Sequence, residues 1–366
     1  MVRFARPEDK PALKELWHIC FDDPAPFEDW FFSERFLPEY CALEEDGGRI
    51  VACAHTLPNH IRVRDALLSS AMLTGVSTLP EYRGRGCMRR VMSLLVNMLR
   101  DRGIVLMPFR PAELEMYYFL GCYPVSSSQY VTLEAGAKRP QGDLSEADIG
   151  KNCAALYESY MRFSNRYSGS IHRSYADFVL KMRDYISAGA KCAAVMAGRT
   201  AQGYCVYFET QDEIYGEEFA AADNAAYQPL FEAMAARSLG KKLMIRMASD
   251  VRLNFGQAKS VTVPKSVLGV LDAPALLCAL DLEGFTVQIK DGIIAQNAGV
   301  YDISGQRTNA APQLCLEAGR LGQWAVGFKT LAELEREGYA QFLDRKAALK
   351  LDALLPKRPC FIVEEY

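Results

Sequence analysis

The stretch richest in chemistry runs from Gly75 to Arg90 and reads Gly-Val-Ser-Thr-Leu-Pro-Glu-Tyr-Arg-Gly-Arg-Gly-Cys-Met-Arg-Arg. An extended segment enters a turn holding Gly84 and Gly86, and a helix follows with apolar residues at Met88, Val91, Met92, Leu95 and Leu99. Glycines let backbone approach a ligand closely, and a helix start leaves amide N–H groups without intrahelical partners. Together they form an anion site. The charges sharpen this. Arg83, Arg85, Arg89 and Arg90 crowd the positive end of the helix dipole, where each exposed cation costs about 0.3–1 kcal/mol. A pyrophosphate would relieve that conflict, whereas the plain alternative is a glycine turn with a solvated basic rim. The spacing is neither a Walker loop nor G-x-G-x-x-G.

Other chemistries find little support. The four histidines are His18, His55, His60 and His172, and none has a recognised metal-ligand spacing. His55 and His60 are expected on a strand and a turn around Pro58. Eleven cysteines are scattered without a C-x-x-C pair, so free thiols in a reducing cytoplasm are expected rather than a disulfide frame. The opening MVRFARPEDK carries no apolar core of a signal peptide, and no apolar run approaches the ~20 residues of a membrane span. A net charge of -3 gives no global field to recruit nucleic acid.

The elements that must hold the turn follow from length and pattern. At 366 residues the chain calls for two or three domains. Alternating helical and extended signals in the first ~130 residues indicate a mixed α/β (α+β) fold. Val2 to Ala5 starts extended; helices follow Pro7-Glu8-Asp9 and include Phe27, Trp30 and Phe31. Cys41–Glu45 and Ile50–Leu57 flank Gly47-Gly48 as a hairpin, and a strand over Leu73–Thr78 leads into the turn. Ile104–Pro108 reads as a buried strand, followed by a helix ending near Gly121. The polar run Lys138 to Gly142 marks a linker. Beyond it come a helix over Ile149–Phe163, strands over Cys192–Ala197, Gly203–Glu209 and Ile214–Ala221, a helix over Tyr227–Leu239 and a strand over Lys242–Met247. This order repeats the first block and suggests an internal duplication. The last block, from Val267, carries helices over Pro274–Leu280, Leu331–Glu337 and Gln341–Leu354, with strands over Thr286–Lys290 and Ile293–Gln296 and an extended Gly299–Ser304.

Arg83-x-x-Gly86 after a strand resembles the coenzyme A motif [QR]-x-x-G-x-[GA] of the GNAT superfamily of N-acetyltransferases, with Met88 in place of the final small residue. The version Tyr82-Arg-Gly-Arg-Gly-Cys-Met-Arg-Arg-Val-Met92 resembles the enhanced-intracellular-survival (Eis) acetyltransferases, which commonly carry a bulky residue there. Met116-Tyr-Tyr-Phe-Leu-Gly-Cys-Tyr-Pro124 is similar to that family's Tyr-x-x-[LF]-Gly-aromatic segment, with Cys122 at the aromatic position. Val270–Ala275, Gln296–Tyr301 and Leu321–Phe328 resemble segments of its C-terminal domain. The resemblance implies a catalytic GNAT domain over 1–137, a second GNAT-like domain without a cofactor motif over 143–266, and a sterol-carrier-protein-like domain over 267–366. It also implies a homo-oligomer, commonly a hexamer.

The activity so implied is transfer of acetyl from acetyl-CoA to an amine of a small molecule, such as an aminoglycoside or polyamine, or of a peptide lysine. Backbone amides of Val76, Ser77 and Thr78 would polarise the thioester. Arg83, Gly84, Arg85, Gly86, Cys87, Met88 and Arg89 would hold the pyrophosphate. Tyr117 occupies the family's acid position, and a phenol is protonated at neutral pH; adjacent Tyr118 leaves an alternative, as does a purely packing role. The family's base is the terminal carboxylate, here that of Tyr366, behind the apolar run Cys360-Phe-Ile-Val363; a docked tail without chemistry is the alternative. Asp22, Asp23, Phe27 and Trp30 combine carboxylates with aromatic faces suited to a cationic amine, or form a packing face and its cap. A rival reading is a non-catalytic protein that binds acyl-CoA or lipid. Aminoacyl transfer from tRNA fits less well, since it needs no coenzyme A turn.

Overall fold

The computed structural model describes residues 1–140, 145–254 and 256–364. The first block holds strands β1 (Val2–Phe4), β2 (Cys41–Asp46), β3 (Arg49–Val63), β4 (Ala66–Thr78), β5 (Leu106–Phe109) and β6 (Tyr123–Leu133), with helices α1 (Lys10–Cys20), α2 (Ala25–Trp30) and α3 (Cys87–Asp101). The middle block holds β7 (Ser145–Glu146), α4 (Ile149–Ser164), β8 (Ile171–His172), α5 (Tyr175–Ser187), β9 (Lys191–Ala197), β10 (Thr200–Glu209), β11 (Glu213–Ala221), α6 (Tyr227–Arg237), β12 (Lys242–Ala248) and β13 (Lys259–Val270). The last block holds α7 (Ala273–Cys278), β14 (Thr286–Lys290), β15 (Gly299–Asp302), β16 (Leu314–Glu317), α8 (Ala318–Ala325), α9 (Leu331–Arg336), β17 (Ala340–Phe342) and α10 (Arg345–Leu354).

The first two blocks share one sheet, ordered β1-β2-β3-β4-β5-β13-β6-β12-β11-β10-β9-β7, with β8 paired to β3. β13 inserts between β5 and β6, pairing Val267 with Phe109 and Val261 with Tyr130. It runs straight through the division expected at residue 266. Its first half is largely exposed and its second half buried, so no single period marks it as one strand. Helix α3 buries Val91, Met92, Leu95 and Leu99 against the first half of the sheet, the stripe its spacing forecast. The last block is a separate four-stranded sheet, β15-β14-β16-β17, packed with α8 and its buried Trp324.

Several expected elements change form. β3 continues through Pro58 to Val63, so His55 and His60 lie on one strand rather than a strand and a turn. Proline is tolerated because β3 pairs with β2 only up to His55 and with β8 only from His60, leaving that edge without a ladder. The helix expected before Gly121 is a 3-10 helix over Leu114–Leu120. Ile293–Gln296 is not a strand. Asp291 accepts the amides of Ile293 and Ile294, each at 2.8 Å, and turns the chain into a 3-10 helix over Ala295–Asn297. The last helix starts at Arg345, capped by Asp344, because Ala340–Phe342 pairs as a strand with β16. Helices α5 and α8 and strands β6, β7, β8, β13, β16 and β17 were not expected.

Charge is buried at the centre of the middle block. Arg173 donates to both oxygens of Glu218 at 2.9 Å and to Glu364 at 2.8 Å, all nearly solvent-free. Arg246 bonds Glu217 and the carbonyls of Ile362 and Val363. The run Cys360–Val363 is thus packed, Phe361 lying against Phe163 and Tyr167. Residues 141–142 of the expected linker and Tyr366 fall outside the described residues. Removing one partner of a buried pair leaves the other charge uncompensated. Arg246→Met should therefore lower unfolding stability by about 3–5 kcal/mol, read from denaturant midpoints, and raise amide exchange over residues 361–364.

Candidate active site

The site begins where two parallel strands part. β4 pairs with β5 at one position, Ser70 with Leu106. Beyond it β5 stays with β13 on its other edge, while β4 continues to Thr78 along β3. The register of β3 and β4 shifts between Cys53 and His55, opposite Gly75 at φ +55°. Gly75 is required there: a Cβ would lie 2.2 Å from the Trp17 ring.

After Thr78 a 3-10 turn over Pro80–Tyr82 leads to Gly84 and Gly86, both left-handed at φ +76° and +78°. Gly86 is the N-cap of α3, and no side chain caps that end. The first bond of the helical ladder is Arg90 N–H to Gly86, so the preceding amides remain for another acceptor. Arg83 bends back to donate from Nε to the Thr78 carbonyl at 3.2 Å. Arg89 lies over Phe119, 4.2 Å from its centroid.

A cleft of about 550 Å³ joins these parts. It is lined by Val76, Ser77, Thr78, Arg83, Gly84, Gly86, Cys87, Met88, Arg89 and Tyr117, and by Cys20, Phe21, Tyr82, Met116 and Phe119. Every residue expected at the anion turn is present except Arg85, which stacks on Tyr82 at 4.9 Å. Arg90 serves structure: its guanidinium grips Glu44 at 2.8 Å and the Arg85 carbonyl at 2.9 Å. Tyr117 meets Phe109 edge-on at 4.7 Å, and burial pushes its phenol up to about 12. Tyr118 faces elsewhere, against Tyr123.

Tyr117 and the basic turn thus share a cavity at the mouth of a splayed sheet. A model of the acetyltransferase (GNAT) domain matches residues 1–125, and one of the sterol carrier protein domain matches 273–363. The chain carries a GNAT acetyltransferase domain. Solved structures agree on the fold of the whole chain. A probable N-acyltransferase from Enterococcus faecalis V583 superposes with a TM-score of 0.83 at 16% identity, covering 100% of this chain and 99% of that one. A GCN5-related N-acetyltransferase from Anabaena variabilis ATCC 29413 gives 0.81 at 15% identity, covering 100% of both. Eis1 from Mycobacterium abscessus gives 0.77 at 16% identity, also with 100% of both. No curated protein matches the sequence. The acyl donor of a GNAT acetyltransferase is acetyl-CoA. The GNAT cleft suits its pyrophosphate: uncapped amides, two glycines without Cβ, and guanidinium groups at the rim.

A second cleft, of about 340 Å³, is lined by Asp23 and Phe27 from the first block and by Lys181, Asp184, Tyr185, Ala188, Phe208, Tyr215 and Glu217 from the middle block. Cys20 and Phe21 line the first cleft and Asp23 the second. Asp23 accepts from Trp17 Nε1 at 2.9 Å, and burial raises its carboxyl above the usual range. Burial also pushes the Lys181 ammonium down to about 8. Of the residues expected to meet an amine, Asp23 and Phe27 line this cleft. Asp22 is exposed and lines neither. Trp30 instead ties α2 to α5, donating to Asp184 at 2.7 Å. Lys181, Asp184 and Glu217 escaped the sequence reading, although Glu217-Glu218 inside an apolar strand was a usable signal. Among the described residues no helix could cross a membrane, and no three His, Cys, Asp or Glu side chains are placed to hold a metal.

A charge-assisted bond to phosphate contributes about 1.5–3 kcal/mol. Arg83→Ala should therefore weaken acetyl-CoA binding roughly 10–100-fold by calorimetry, with a smaller salt dependence than the parent.

Proposed function

We propose that this protein acetylates a primary amine of a cationic small molecule or peptide lysine, binding acetyl-CoA in the cleft of Arg83 to Arg89 and the amine in the cleft of Asp23 and Phe27. One observation carries the reading: the basic glycine turn, the free edge of β4 and the Tyr117 phenol line a single cavity. Acetyl-CoA supplies an activated acetyl thioester. Amides of Val76 to Thr78 orient that ester, and Arg83, Arg89 and the uncapped start of α3 hold the phosphates. Asp184 and Glu217 are already met by Arg35, Arg110 and Arg246, so Asp23 is the carboxyl group that the second cleft offers a cation, beside the rings of Phe27, Tyr185 and Tyr215.

Tyr117 is the proton donor of this scheme. A phenol raised to about 12 holds its proton more tightly than a thiol near ~8.5. Its contribution is therefore a hydrogen bond to the sulfur as negative charge develops, with full transfer uphill. We assign the base to the Tyr366 carboxylate on the strength of the Eis resemblance, supported by the buried tail up to Glu364. Partition into domains 1–137, 143–266 and 267–366 belongs to the same reading, as does assembly into a homo-oligomer.

An amine panel of polyamines, aminoglycosides and lysine peptides, read by mass spectrometry, tests the activity. Tyr117→Phe should lower kcat about 10²–10³-fold and leave acetyl-CoA binding intact; coenzyme A binding without turnover of any amine would instead favour a carrier. Because the phenol stays protonated until pH approaches 12, the pH profile of kcat should show no descending limb between pH 7 and 10. A fall centred near ~10, the ordinary tyrosine value, would contradict the assignment.

A further inference from the structure

We infer that the sterol carrier domain is the mount for Tyr117, and that Gly319 at the start of α8 is a positioning residue for the phenol. The inference rests on the reading of Tyr117 as the donor to sulfur. Tyr117 stands on a 3-10 helix of seven residues, Leu114–Leu120. Such helices rarely exceed 3–4 residues because their hydrogen bonds are poorly aligned. This one has to be held from outside.

The hold lies at its C-terminal end. Gly121 is left-handed at φ +67° and closes the helix, its amide bonding the Tyr118 carbonyl at 3.0 Å. The next amide, of Cys122, bonds the Tyr117 carbonyl itself at 3.3 Å. Gly121 rests directly on α8. A Cβ on Gly319 would lie 1.9 Å from the Gly121 oxygen and 2.8 Å from Cδ2 of Tyr123. The contact is backbone against backbone.

The residues after it are pinned by the same turn of α8. The Tyr123 hydroxyl donates to Glu317 at 2.8 Å. The Arg320 guanidinium sits 3.5 Å from the ring centroids of both Tyr123 and Tyr339. Gln323 accepts from Arg320 at 2.9 Å and donates to the Pro124 carbonyl at 2.6 Å. Residues 121–124 are therefore fixed by the C-terminal domain, and Tyr117 is one hydrogen bond away. A methyl at 319 forces Gly121 aside by about 1 Å, the gap between 1.9 Å and the 3.0 Å closest approach of a real Cβ. A displacement of that size at a reacting group costs up to about 100-fold in rate.

The test is a double-variant cycle on the full chain, using acetyl-CoA and the amine turned over fastest in the panel above. Gly319→Ala should lower kcat by up to about 100-fold, leave the acetyl-CoA dissociation constant unchanged, and cause no further loss in a Tyr117→Phe background. Tyr123→Phe, which removes only the hydroxyl reaching Glu317, should lower kcat more mildly with the same lack of additivity, and it carries the test should Gly319→Ala not fold. Wild-type kcat in both variants, losses that multiply with Tyr117→Phe, or a parallel loss of acetyl-CoA binding would overturn the mount and leave the donor role standing. Full turnover by Tyr117→Phe alone would overturn the donor role, and the mount with it.

Discussion

The cleft exists because β5 stays with β13 and parts from β4. A strand has two hydrogen-bonding edges, and β5 commits one of them along its whole length to β13. Its other edge meets β4 only at Leu106. The four residues of β5 are thus held to the far half of the sheet, while β4 follows β3 away from them. Unpaired backbone along β4 would be costly in a closed core; at the wall of an open cleft it is available to a ligand. The strand responsible, β13, comes from the end of the middle block. Neither half of the sheet is complete alone, and the active-site geometry of the first block depends on residues more than a hundred positions away.

The middle block has no glycine-arginine turn at its own helix start, since α6 follows Ala222-Asp-Asn-Ala-Ala-Tyr. Its contribution is of another kind. Arg173, Glu218, Arg246 and Glu217 are buried within a few bonds of one another, and buried ion pairs add less to stability than apolar packing of the same volume. They do fix the last described residues, and Glu217 also lines the second cleft. A core that could have been apolar is instead built to orient charge.

Much of this was legible in the sequence. The turn was, because glycine pairs, arginines and the apolar stripe of α3 are local signals whose physics acts within one helical turn. Tyr117 was located by resemblance, and burial beside Phe109 distinguishes it from Tyr118. Sheet order was not legible. Nothing local says that Val267 pairs with Phe109, and β13 reads as polar then apolar because its two ends have different neighbours. Trp30 shows the same limit: an aromatic residue near carboxylates looked like a cation box, and the partner that claims its indole N–H, Asp184, lies far along the chain. The contact of Gly319 with Gly121, just after the 3-10 helix over Leu114–Leu120, is likewise between residues far apart in the chain.

All eleven cysteines are free, and eight of them are buried; Cys278 alone is exposed. The buried thiols are spread over the whole molecule, with Cys41, Cys53, Cys87 and Cys122 in the first block, Cys153, Cys192 and Cys205 in the middle one, and Cys315 in the last. A thiol sealed in a core reacts with an alkylating reagent only when its surroundings open. The protein therefore carries its own set of reporters: mass-resolved alkylation over time would rank the order in which its three parts come undone, with no label introduced.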